Sequence, residues 1–496
     1  MSEPALSAGA AAAIPPPADA VPARPAPAAG GGTAITAVAL ARSRWGLRFA
    51  DRAALRRYQA RRLADFLGRV APRAAFYWRW AGRPLAELPI VDKATMLADF
   101  AAFNTRGVTL ERALAVARRA EESRDFAPTL DGLTVGLSSG TSGSRGVFLV
   151  SPGERARWAG ALLARTLSAA ALRRLLDVRR PPLRVAFFLR ANSNLYTTLG
   201  SRRLDFRFHD LLDGFETHVR RLNRDRPDIL AAPPTVLRRL ADAASAGELR
   251  IAPEQVLAVA EVLEADDESA VAAAFGVPVR QIYQASEGFL GASCAAGRVH
   301  LNEDLVHVEP EWLPGEEGRR FQPIVTDFSR TTQLIVRYRL DDVLRVADGP
   351  CACGRVTLGL AAIEGRADDV LWASPAVPAP SPTLAAGRGE GEAHGVRPLV
   401  PVFPDVLRRA FALADRGGVP GDYRLEQQGG LWSVRLSGGR AEAQAAVRAE
   451  LEALARKQGF RLPPLRFDAW RAEPLQQKRR RIRCAAKPDL REAAAP

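Results

Sequence analysis

The stretch Leu137-Ser138-Ser139-Gly140-Thr141-Ser142-Gly143-Ser144-Arg145-Gly146 concentrates the groups that hold phosphate. Gly140 and Gly143 let the backbone approach a ligand closely and adopt positive φ. Ser138, Ser139, Thr141 and Ser142 bring hydroxyl donors, successive backbone N–H groups add more, and Arg145 brings positive charge. No Gly-Lys-Ser/Thr closes the run, so it is not a Walker loop. Read alone, it is equally an ordinary Gly/Ser turn. The second candidate is Lys478, inside Leu475-Gln476-Gln477-Lys478-Arg479-Arg480-Arg481-Ile482. Read alone, such a run is a solvated basic tail or a nucleic-acid patch. Rarity gives it weight: of 70 Lys and Arg residues, only Lys93, Lys457, Lys478 and Lys487 are lysines.

A chain of 496 residues is too long for one core and implies about two to four domains. Its 47% hydrophobic and 25% charged composition is that of a globular protein. The net charge of +15 comes almost entirely from arginine and is read as compositional bias. No basic patch interleaved with aromatics, helix-turn-helix or zinc-finger pattern accompanies it, so nucleic acid is set aside as a partner. The four cysteines, Cys294, Cys351, Cys353 and Cys484, are too few for a disulfide scaffold. No apolar run of about 18 residues suggests a membrane span, and no secretory leader is recognisable. A cytoplasmic location is the expectation.

The elements that must position these groups alternate. Val147–Val150, Val185–Leu189, Ile229–Ala232 and Val256–Val259 read as strands, several followed by helical patterns, which argues for an α/β domain. Arg42–Trp80 reads as helical. After Trp372 the segment 374–396 is rich in Pro, Gly and Ala and reads as a linker. Helical patterns at Val406–Leu413 and Ala441–Ala455, with strands at Tyr423–Leu425, Trp432–Leu436 and Leu465–Phe467, form a small α+β unit. The predicted organisation is an Ala/Pro/Gly-rich disordered tail over 1–34, a large multi-layer α/β domain over 35–365, and a small mobile α+β domain over 366–496.

The phosphate-binding stretch resembles the Ser/Thr-Gly-Thr-Thr-Gly-x-Pro-Lys-Gly loop of the adenylate-forming superfamily, which includes acyl-CoA synthetases, luciferases and adenylation domains. Ser144-Arg145 stands where that pattern has Pro-Lys. The likeness is strongest to the phenylacetate–CoA ligase branch and its deazaflavin-coenzyme-adenylylating relatives. Further motifs follow in the family's order. Leu88-Pro89-Ile90-Val91-Asp92-Lys93 is similar to the branch's Leu/Ile-Pro-x-x-x-Lys segment. Arg226-Pro227-Asp228 through Pro234-Thr235 is similar to its Pro-Asp…Pro-Ser strand and turn. Tyr283-Gln284-Ala285-Ser286-Glu287 resembles Tyr-Gly-x-Thr-Glu, which implies that Ser286 touches the AMP phosphate and that Glu287 holds Mg²⁺. Arg337-Tyr338-Arg339-Leu340-Asp341-Asp342 resembles Tyr-Arg-Thr-Gly-Asp, which puts Asp342 on the ribose hydroxyls, with Asp341 as a competitor. Gly365-Arg366-Ala367-Asp368-Asp369 resembles the interdomain hinge, with Arg366 toward the ribose or phosphates and Asp368 as pivot. Lys478 then stands at the position of the mobile catalytic lysine. Cys351-Ala352-Cys353-Gly354-Arg355 resembles a Cys-x-Cys-Gly-Arg element of the same branch. With Cys294 and His300 it would form a closed structural zinc site; three small core residues and a satisfied histidine are the alternative.

The resemblance implies an ATP·Mg²⁺-dependent ligase that converts a carboxylic acid, aromatic by the branch likeness, to acyl-AMP and then transfers it to a thiol such as CoA. Transfer of AMP to a coenzyme hydroxyl and a nucleotide-binding inactive relative are the rival readings. Phe187, Phe188, Asn192, Asn194 and Tyr196 are candidates for the acid pocket, and a homodimer is kept open as the assembly.

Overall fold

The computed structural model describes residues 30–137, 146–189, 194–376, 399–415, 422–472 and 479–487. The Gly/Ser-rich stretch Ser138 to Arg145, Asn192 and Lys478 therefore lie outside the described residues.

The central element is a twelve-stranded mixed sheet. One half is parallel, in the spatial order Leu204–Asp210, Leu183–Leu189, Ile229–Ala232, Gln255–Val259, Val279–Ala285. Ile229–Ala232 and Gln255–Val259 are buried along their whole length, which is why they read as continuous apolar runs. Helices Phe215–Asp225, Pro234–Ser245 and Ala265–Phe275 are the crossovers between these strands. The other half, from Gly288–Ser293 to Val306–Trp312, is antiparallel.

A separate antiparallel hairpin, Thr134–Leu137 with Val147–Val150, pairs Leu137 opposite Val147. Helix Pro152–Thr166 follows directly. Its start is closed by a capping box in which Ser151 and Glu154 exchange hydrogen bonds. The Glu154 carboxylate also accepts from the backbone N–H of Thr332 at 2.9 Å and its hydroxyl at 2.6 Å, tying the helix to the 327–332 turn.

The C-terminal part has its own core. A four-stranded sheet in the order Leu465–Asp468, Leu431–Leu436, Tyr423–Gln428, Ile482–Ala486 packs against helices Pro404–Asp415 and Ala441–Gln458. Trp432, Phe411 and Leu451 fill the space between them. The helix Gly30–Ala41 lies partly inside the stretch expected to be structureless through residue 34. Its Thr36, Ala39 and Leu40 rest on Gly160, where a Cβ would lie 2.3 Å from the Thr36 carbonyl oxygen. Packing against Pro152–Thr166, not helix propensity, holds this glycine-rich segment in helical form.

Candidate active site

A cleft of about 1260 Å³ opens at the carboxyl ends of the parallel strands, against the antiparallel half of the sheet. This is where open α/β sheets bind ligands, because the crossovers diverge there. Its wall at the end of Gln255–Val259 turns through Ala260, whose φ of 66° is left-handed for a residue with a Cβ. The neighbouring Glu261 accepts from the Thr235 hydroxyl at 2.6 Å.

Most of the expected residues meet here. Tyr283, Ser286, Glu287, Asp342 and Arg366 all line the cleft. The Tyr283 hydroxyl donates to the Asp342 carboxylate at 2.7 Å, fixing that carboxylate in the cleft wall. Asp341 also lines the cleft but is exposed. Gln284, where the pattern has glycine, falls at a register shift of its strand, and its side-chain oxygen accepts from Trp158 Nε1 at 3.2 Å. The departure is thus accommodated by a bulge and a partner from the Pro152–Thr166 helix.

Glu287 is half-buried. Burial pushes its carboxyl up, the Asp342 charge adds to the rise, and Arg330 and Lys93 oppose it. Tyr338 donates its hydroxyl to Glu287, and both burial and that carboxylate raise the phenol. Lys93, on the short helix Lys93–Ala98, projects into the same cleft. Burial lowers its ammonium, and Glu287 pulls it back up. The sequence marked Lys93 only by its rarity and its place in a segment; it carried no signal that this lysine faces Glu287. Arg330 likewise lines the cleft, and its Nη1 is buried without a hydrogen-bond partner among the described residues. Arg366 Nη1 is in the same condition. Two guanidinium nitrogens, Lys93 and the Glu287 carboxylate make a setting for a polyanion with a hard cation.

The segment 365–369 is held from both sides. The Asp369 carboxylate accepts from the Arg366 N–H at 2.7 Å, and Arg480 pairs with Asp369 and, at 2.8 Å, with Asp368. Gly365, with φ of 118°, is required there, since a Cβ would lie 2.6 Å from Asp369 Oδ2. Asp369 lines the cleft while Asp368 does not. Arg479 and Arg480, directly after Lys478, line the cleft too. Arg479 pairs with Asp267, Arg481 pairs with Glu264, and Arg481 also reaches Asp422 at 2.7 Å. Asp267 is fully buried at the start of helix Ala265–Phe275, where carboxylates suit the helix dipole.

Among the acid-pocket candidates, Phe187 and Tyr196 line the cleft, with ring centroids 4.8 Å apart, and Tyr196 also meets Trp158 edge-on. Phe188 does not: the strand alternation sends it to the opposite face, where it stacks on His209 at 4.4 Å.

Cys294, His300, Cys351 and Cys353 come together outside the cleft, with all ligand atoms within 4.8 Å of one another. The Cys294 and Cys351 sulfurs are 3.7 Å apart, close to the edge of about 3.8 Å that a tetrahedron with Zn–S near 2.3 Å requires. His300 Nδ1 donates to the Thr357 carbonyl at 3.0 Å, so Nε2, 3.4 Å from Cys353 Sγ, is left to ligate. The residues fit zinc in number, softness and orientation.

No family profile and no curated protein sequence matches this chain. Solved structures do. A 2-hydroxyisobutyryl-CoA ligase in the postadenylation state, in complex with R3-HIB-AMP, aligns with a TM-score of 0.56 at 17% identity, over 87% of this chain and 89% of that one. The same ligase with 2-HIB-AMP aligns with a TM-score of 0.53 at 16% identity, over 89% and 90%. The chain has the adenylate-forming ligase fold. That ligase in an open conformation, with 2-HIB-AMP and CoA, aligns with a TM-score of 0.50 at 17% identity, over 88% and 91%.

Proposed function

We propose that this adenylate-forming fold carries an active ligase that joins a carboxylic acid to AMP, releases pyrophosphate, and passes the acyl group to a thiol such as CoA. The observation that carries the reading is the convergence of Tyr283-bound Asp342, half-buried Glu287, Lys93 and Arg366 on one cleft beside the hinge. In this reading the substrate's carboxylate oxygen attacks the α-phosphorus, and the bond to the pyrophosphate oxygen breaks. Asp342 accepts the ribose hydroxyls. Arg366 and Lys93 place positive charge where the triphosphate lies. Glu287 and Ser286 would hold Mg²⁺ and a phosphate oxygen, and the ion would neutralise charge that builds on the phosphates. Lys478, next to the cleft-lining Arg479, would bring its ammonium between the attacking carboxylate and the α-phosphate.

The domain bounds 35–365 and 366–496, with rotation of the smaller unit about Asp368, belong to the same proposal. They are supported by the separate C-terminal core and by the ionic clasp on residues 366–369. Structural zinc on the four-residue Cys/His cluster is part of it as well.

ATP–pyrophosphate exchange over a panel of acids tests the reading. Wild type is expected to exchange with at least one acid, and Lys478→Ala to lose most of that rate while still binding ATP. Asp342→Asn is expected to raise the ATP requirement by about tenfold to a hundredfold, the worth of hydrogen bonds to a charged group. Full exchange in Lys478→Ala would overturn the assignment. Acyl-CoA formation on adding CoA supports the thiol step, whereas stable AMP transfer to a coenzyme hydroxyl replaces it.

A further inference from the structure

Ligand pockets usually enclose about 300–1,000 Å³, and this one, at about 1260 Å³, is lined by the Trp158–Tyr196–Phe187 aromatic group and also by the N-terminal helix Gly30–Ala41. That helix is built in place. Gly160 lets its backbone reach the Pro152–Thr166 helix, Leu40 is buried with that helix, and Arg44 donates to the Ala164 and Leu167 carbonyls at 2.9 and 3.1 Å.

One stripe of it, Ile35 and Val38, spaced as one helical face, points into the cleft. These side chains are 38% and 67% exposed, and Leu212, also lining the cleft, is 57% exposed. Large apolar side chains left open to solvent at one cavity mouth mark a surface that a ligand covers. Glu287, the aromatic group and this stripe of the helix all line the one cleft.

Resting on the adenylation reading, we propose that the acid is an elongated apolar one. Its tail runs past Trp158 and Tyr196 and ends against Ile35 and Val38, which makes the N-terminal helix the element that reads chain length.

Each methylene buried along this path is worth about 0.8 kcal/mol, or roughly a fourfold gain in kcat/KM. The experiment compares straight-chain acids from butanoate to dodecanoate, and phenyl-terminated acids, in pyrophosphate exchange with wild type and Val38→Trp. Equilibrium binding of decanoate and butanoate without ATP is measured in parallel. The expected result is a rise in kcat/KM with length in wild type. In Val38→Trp the decanoate-to-butanoate ratio is expected to fall at least tenfold, in exchange and in binding alike. Ile35→Asp, which needs no extra space, should lower the same ratio. A flat dependence on length in wild type, or ratios unchanged in both variants, overturns the proposal. No exchange with any acid, alongside length-dependent binding that Val38→Trp abolishes, would remove the adenylation reading and leave the tail site standing.

Discussion

At the residue scale the cleft is governed by one half-buried carboxylate and the charges set around it. Glu287 faces Lys93, Arg330, Tyr338 and Asp342, and its protonation depends on all of them. Lys93 is held below its ordinary value of 10.5 by burial, more strongly than Glu287 lifts it. The charged form binds phosphate, so activity is present below the shifted value and is lost as pH rises through it. The alkaline limb of kcat/KM for ATP is therefore expected to begin below pH 10.5. In Lys93→Arg it should move upward, since a guanidinium does not titrate there; an unmoved limb would assign it to another group. The sequence carried Glu287, Ser286 and Asp342 through motif order, and the structure puts them on one cleft. Lys93, Tyr338 and Arg330 were not legible, because their roles depend on segments distant in sequence folding over the same carboxylate. Asp369, rather than Asp368, turns toward the cleft for a similar reason: Arg480 and the Arg366 N–H select which of two adjacent carboxylates faces inward.

At the scale of elements, what was legible followed burial on both faces. Ile229–Ala232 and Val256–Val259 stand as uninterrupted apolar runs, and the strands fall there. The C-terminal helices and strands were equally readable, because each is amphipathic over a core of its own. The antiparallel half was not read as strands. Arg320–Asp327 begins with a buried arginine that pairs with Glu364 at 2.9 Å, which breaks the alternation a half-buried strand should show. The helix Gly30–Ala41 was hidden by its glycines. The Cys/His cluster was legible as composition, and the strands Gly288–Ser293 and Val299–Leu301 carry two of its members into register. Purified protein is expected to hold about one zinc per chain by elemental analysis. Chelation or Cys351→Ser should lower the melting temperature without changing the affinity for ATP. Protein with no zinc and an unaltered melting temperature in Cys351→Ser would return these four residues to ordinary packing.

At the scale of the whole molecule, stability and motion draw on different charges. His209 and His218 are buried behind the parallel strands, and burial holds His209 down to about 3 and lowers His218 as well. Both stay neutral in the fold but take up a proton near pH 6.5 when unfolded. Their contribution is therefore intact above about pH 6.5 and declines as pH falls toward the folded value. For His209 alone the loss is about 1.4 kcal/mol per pH unit across that window. Urea unfolding at pH 7 and pH 5 should show it, and His209→Phe should reduce the slope; an equal slope in the variant would place the acid sensitivity elsewhere. The joint between the C-terminal unit and the rest is a different matter. It is fastened next to the cleft by Arg479 on Asp267 and Arg481 on Glu264. Opposite charges attract over roughly a Debye length, about 8 Å in physiological salt, so such a clasp draws itself shut before its side chains touch. An oily seam would give no such pull from a distance and would resist parting once made. Added potassium chloride should consequently quicken any turnover that waits on this clasp letting go, and slow any step that waits on its closing.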